Sequence, residues 1–152
     1  MFLNCHSWFS FKYGVMKPET LLEEAAKAGV RTLALTDIHC TAGIPDLVRD
    51  AETRFDVRPV AGIEFRQGPR LLYVGIAANN DGFQRLNELL SPHLLDGDAL
   101  PERAPELDDV FFIYPFTNAP QQLRPNERAG INPSDLTRLP FSPWAKRPQD
   151  LV

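Results

Sequence analysis

Short apolar runs alternate along this chain with stretches whose apolar positions repeat at helical spacing. Phe2–Cys5 predicts a strand, with His6-Ser7 at its carboxyl end. Leu21, Leu22, Ala25 and Ala28 form a stripe that predicts a helix. Pro18 suits its first turn, Glu19 the positive end of its dipole and Gly29 its stop. Thr32–Leu35 predicts a buried strand. Gly43-Ile-Pro-Asp then opens a second helix running to about Arg54, with Leu47, Val48 and Ala51 turned inward. Val57–Ile63 predicts a third strand that closes on Glu64. Strand, helix, strand, helix, strand is the order of parallel βα units with right-handed crossovers, so Leu3–Cys5, Thr32–Leu35 and Val60–Ile63 should be adjacent parallel strands.

Beyond this unit the pattern changes. Arg70–Ala77 predicts a fourth strand, and Gln67-Gly68-Pro69 is short enough to make it an antiparallel hairpin partner. Asn79-Asn-Asp81 caps a helix carrying Phe83, Leu86, Leu89 and Leu90, and Ser91-Pro92 to Leu107 reads as loop. Val110–Tyr114 is a further buried strand, and Asn132-Pro-Ser-Asp starts a last short helix. From Pro140 the chain is proline-punctuated and aperiodic. The expected organisation is one domain over 1–152, with a motif-bearing core at about 1–92 and an irregular extension at 93–152.

Composition narrows the function classes. A net charge of −4 argues against an autonomous nucleic-acid binder, which needs a basic face for phosphates. Two cysteines, Cys5 and Cys40, do not make a disulfide scaffold and suit a reducing, cytoplasmic setting. No apolar run reaches membrane-spanning length, and no membrane association is expected.

Three consecutive strands end in metal-capable residues: His6, then Asp37 with His39, then Glu64. In parallel α/β folds ligands gather at the carboxyl ends of strands. Imidazole with carboxylates is a ligand set for Zn²⁺, Mn²⁺ or Fe²⁺, ions that activate water for phosphoester hydrolysis. The plainer reading takes His6 as a core histidine, Asp37 as a helix cap and Glu64 as a surface carboxylate. Closing adjacent strands at one end, Asp37 and Glu64 are expected to converge, with one carboxyl raised by repulsion and His6 as proton carrier. A Cys₂His₂ site from Cys5, His6, His39 and Cys40 is rejected, because adjacent strand residues point to opposite faces. His93 reads as a solvated cap. Trp8, Phe9, Phe11 and Tyr13 read as a lid packed over the strand ends.

Leu3-Asn-Cys-His-Ser-Trp-Phe-Ser, Gly14, Pro18-Glu-Thr-Leu-Leu-Glu-Glu-Ala, Leu35-Thr-Asp, Gly43 and Pro59-Val-Ala-Gly-Ile-Glu-Phe resemble, in order, motifs of the polymerase and histidinol phosphatase (PHP) domain. With Leu71-Leu-Tyr-Val-Gly-Ile-Ala, Asn79-Asn-Asp-Gly-Phe and Ile113-Tyr-Pro-Phe to Gly130, the chain is similar to the amino-terminal PHP region of bacterial DNA polymerase III alpha subunits of Bacteroidetes-like lineages.

The resemblance implies an α/β fold, a distorted (β/α)₇ barrel of which this is an incomplete amino-terminal part, and in the family a trinuclear metal site at the barrel mouth. The family's His-x-His is here Asn4-Cys5-His6, and its Thr-Asp-His is Thr36-Asp37-Ile38. Asn4 and Ile38 therefore mark replaced ligands. His6, Asp37 and Glu64 remain as candidate ligands, with His39 as a displaced one. Such a remnant would hold one divalent ion (Zn²⁺, Mn²⁺ or Mg²⁺) weakly, or none, and no catalytic residue is assigned. The implied function is a non-catalytic structural or docking part of a replicative DNA-directed DNA polymerase. Its implied partners are the rest of the alpha subunit and the proofreading exonuclease subunit. The alternative is a metal-dependent phosphoesterase or exonuclease of the PHP family.

Overall fold

The computed structural model describes residues 1–152, apart from the side chain of Glu52. Six strands form one sheet in chain order: β1 (Phe2–Cys5), β2 (Thr32–Leu35), β3 (Arg58–Gln67), β4 (Arg70–Ala77), β5 (Val110–Pro115) and β6 (Glu127–Gly130). β1, β2 and β3 are mutually parallel, as expected from the helices between them. β4 is antiparallel to β3 and to β5, and β6 is parallel to β5.

Helices α1 (Pro18–Lys27) and α2 (Ile44–Arg54) begin and end where the caps predict; Gly29 takes φ 68°, which costs a residue without Cβ little. Leu22, Ala25, Ile44, Leu47 and Ala51 from these helices pack on Leu33 and Leu35 of β2. α3 (Asn80–Asp96) is capped by the Asn79 side chain, which accepts from Gly82 N at 2.9 Å. Its Leu86 and Leu90 join Ile63, Phe65, Tyr73 and Phe112 in a second cluster. Because strand side chains alternate, all three helices cover one face of the sheet. The other face carries Ala34, Val60, Leu71, Val74, Ile76 and Ile113. That face is concave: Leu3 and Asn4 of β1, Val74, Ile113 and Gly130–Asn132 together line a cleft of about 340 Å³. The result is a curled mixed sheet, a partial barrel with its helices outside.

Two expectations need correction. Ser91-Pro92 does not end α3, which continues to Asp96. Pro92 removes one N–H bond without ending the helix, and the stop is Gly97, in the left-handed region at φ 75°. The segment after residue 92 is also more regular than expected, because β6 was not anticipated. Glu-Arg-Ala-Gly has no apolar run; pairing with β5 and burial of Glu127 make it a strand.

Candidate functional site

The site is set by strand register. Leu35 of β2 lies opposite Ala61 of β3, and the ladder continues to an isolated bridge between Ile38 and Glu64. Residues level with each other on parallel strands share a face, so the neighbour of Glu64 is Ile38, not Asp37. Asn4, Thr36 and Glu64 share the concave face; Asp37 turns the other way, toward Gly43 at the start of α2.

Glu64 is wholly buried. Its Oε2 accepts from Asn4 Nδ2 at 3.0 Å and lies 3.1 Å from His6 Nε2. An ionised carboxylate only accepts, so His6 Nε2 carries a hydrogen here. Asn4 in turn accepts from Thr36 Oγ1 at 2.6 Å. Oε1 of Glu64 receives the Nε–H of Arg66. Arg66 also donates Nη1–H to Tyr13 Oη and to Pro69 O, each at 3.0 Å, and lies over the Tyr13 ring with Cζ 4.4 Å from its centroid. A register shift after Phe65 accompanies this turn of Arg66 along the sheet. Burial alone would raise the Glu64 carboxyl, but His6, Asn4 and Arg66 hold it below the usual carboxylate range.

Asp37 has a separate set of donors. It accepts from Ser7 N at 2.7 Å, Ser7 Oγ at 2.6 Å and Ser10 Oγ at 2.5 Å. These bonds fasten the loop from Ser7 to Met16, which Trp8 N closes on Met16 O at 2.8 Å. Gly14 is needed there: a Cβ would stand 1.9 Å from Ser7 O. The expected convergence of Asp37 with Glu64 is therefore corrected, since alternation separates them by face and Glu64 is lowered, not raised. Nor is Asp37 a helix cap, because α2 has no side-chain cap.

His39 re-aims through a left-handed turn, φ 49°. Its Nε2 accepts the backbone N–H of Arg66 at 2.8 Å, so that lone pair is spent on β3. Burial and the neighbouring His93 ring, 4.8 Å away, hold its pKa below the ordinary value. His93 is thus no free cap: it packs on His39, and its Nδ1 lies 2.6 Å from Asp98 O. The aromatic lid is also corrected. Tyr13 reaches the site through Arg66 and Phe9 packs toward Gly43, whereas Phe11 is 82% exposed, so the four rings do not form one lid. Cys5 packs beside the α1/α2 cluster with its thiol pushed up to about 11 by burial, and both cysteines are free.

These residues do not fit a metal ion as they stand. Every oxygen of Glu64 and Asp37 is engaged, Arg66 already brings a positive charge to Glu64, and His39 has no free Nε2. Among the described residues no three His, Cys, Asp or Glu side chains are grouped to share an ion.

A further buried carboxylate, Glu127, was not anticipated. It accepts from Arg103 Nη2 at 2.7 Å, Arg124 N at 2.8 Å and Tyr114 Oη at 3.0 Å. It pins the 97–126 connection to β6. Only the charge in Arg103 and Arg124 hinted at it, and nothing in the spacing named its partners.

The chain is a member of the PHP domain family, which it matches over residues 3–114, the span that carries Asn4, His6, Asp37 and Glu64. Among its relatives are proteins named error-prone DNA polymerase. That of Mycolicibacterium paratuberculosis (strain ATCC BAA-968 / K-10) is 38% identical over 111 residues, covering 63% of this chain and 10% of the relative. That of Pseudomonas aeruginosa PAO1 is 38% identical over 93 residues, 59% of this chain and 8% of the relative. The chain thus spans about a tenth of the length of these curated relatives. Similar solved structures include a protein from Bifidobacterium adolescentis described as a metal-dependent phosphoesterase, at 25% identity and TM-score 0.49, covering 62% of this chain and 31% of that one. An amidohydrolase from Chromobacterium violaceum aligns at 26% identity and TM-score 0.44, over 61% and 34%.

Proposed function

We propose that this PHP domain is a non-catalytic structural module of a DNA-directed DNA polymerase of the DNA polymerase III alpha type, acting in cytoplasmic DNA replication. Its metal site is degenerate. The observation that carries this reading is the protein's own hold on Glu64: both oxygens of the carboxylate that would bind a divalent ion are already engaged, by Asn4, His6 and Arg66. Neutral Asn4 and aliphatic Ile38 stand where the family pattern has imidazoles, and neither replaces a nitrogen donor.

The partners in this reading are the rest of the polymerase chain and its proofreading exonuclease subunit. The exposed apolar side chains of the 8–16 loop, among them Phe11 and Val15, supply contact surface for such packing. Any nucleic-acid contact is left to the polymerase as a whole.

The test is hydrolysis of p-nitrophenyl phosphate and of a single-stranded oligonucleotide with added Mn²⁺ or Zn²⁺. The expected rate equals that of His6→Ala. Turnover that His6→Ala abolishes would establish a metal-dependent phosphoesterase or exonuclease instead. A pull-down with the exonuclease subunit checks the docking role.

A further inference from the structure

The role of Arg66 goes beyond a surface ion pair. Its side chain is 15% exposed and its carboxylate partner 1%. It is fixed at both ends. Its backbone N–H is held by His39 on the β2–α2 connection, and its guanidinium by Glu64, by Tyr13 Oη and by the Pro69 carbonyl in the β3–β4 turn. The Tyr13 ring lies against the same guanidinium. Three segments thus meet on its side chain and a fourth on its backbone. A guanidinium is always charged, and its planar fork serves several acceptors at once, which an ammonium does not.

We infer that Arg66 is the built-in cation of this site: it neutralises buried Glu64 in place of a divalent ion and tethers the Ser7–Met16 loop to β3 through Tyr13. Two consequences separate this from ordinary packing. Removing Arg66 should hurt mainly because Glu64 is left as an uncompensated buried charge, so removing that charge too should relieve the damage. Losing Arg66 should also free the loop without opening the sheet.

The inference rests on the non-catalytic reading, and its test leaves hydrolysis aside. Arg66→Met, Glu64→Gln and the double variant are compared by thermal melting in chelator-treated buffer. Arg66→Met should lower the melting temperature by roughly 5–15 °C, the size seen when one partner of a buried pair is removed. The double variant should melt above Arg66→Met. Trypsin should cut at Lys12, within the loop, several-fold faster in Arg66→Met under native conditions. If Arg66→Met does not fold, a folded double variant supports the inference and an unfolded one overturns it. Additive losses, or an unchanged melting temperature in Arg66→Met, also overturn it. So does an unchanged rate of cleavage at Lys12. Metal-dependent hydrolysis, by contrast, would remove the proposed function first.

Discussion

Replacing Asp37 with Asn is the perturbation whose sign depends most on the geometry. Two carboxylates closing neighbouring strands would repel, and on that basis the substitution should stabilise. The structure gives the opposite sign. Asp37 is 1% exposed and accepts three hydrogen bonds, from Ser7 N, Ser7 Oγ and Ser10 Oγ. Hydrogen bonds to a charged acceptor contribute about 1.5–3 kcal/mol each, against about 1 for neutral ones. In Asn, Oδ1 keeps two of the three partners at neutral strength, and the Ser7 hydroxyl can rotate to accept from Nδ2. The net cost is then about 2 kcal/mol, equivalent to roughly 4–8 °C in melting temperature for a chain of this size. Asp37→Ala orphans the serine donors outright and should cost about twice as much. Differential scanning calorimetry near neutral pH measures both. A melting temperature for Asp37→Asn equal to or above wild type would refute the reasoning.

Gly14→Ala should be at least as damaging as Asp37→Ala, since its Cβ would stand 1.9 Å from the Ser7 carbonyl and force open the loop; faster trypsin cleavage at Lys12 reports it. Glu127→Gln should destabilise by about 1–3 kcal/mol, because the Arg103 pair and the Arg124 N–H lose a charged acceptor; chemical denaturation checks this. The same residue predicts an acid limit. Burial would raise the Glu127 carboxyl, but Arg103, Arg124 N–H and Tyr114 hold it below its ordinary value. The unfolded chain therefore takes up the proton first, and this contribution is complete above about pH 4.5 and lost as pH falls further through the folded pKa. Wild type should lose stability more steeply than Glu127→Gln below about pH 4.5 in a urea series.

The elements easiest to read were those whose signal is local. α1, α2, β2 and β4 carry their own caps, periodicity and turn residues, and each formed where its pattern lay; β3 instead runs on past Glu64, where it was expected to close, as far as Gln67. The parallel order of β1, β2 and β3 followed from the helices between them. β6 was illegible because Glu127–Gly130 has no strand signature; its partners Arg103 and Tyr114 lie 24 and 13 residues away in sequence. At the site, the pairing of Asn4 and His6 on one face followed from strand alternation. What failed was the pairing of Asp37 with Glu64. Register decides that, and register is a relation between strands that no single strand records. Arg66 was missed for a related reason: its capture of Glu64 depends on the shift after Phe65 and on a tyrosine 53 residues earlier.

The central claim is that the Glu64 site is closed to metal by its own protein partners. Isothermal titration of Zn²⁺ and Mn²⁺ into wild-type protein and into Glu64→Gln tests it most directly. The two proteins should give the same heats, with no saturable step that depends on Glu64. A stoichiometric binding step present in wild type and lost in both Glu64→Gln and His6→Ala would contradict it.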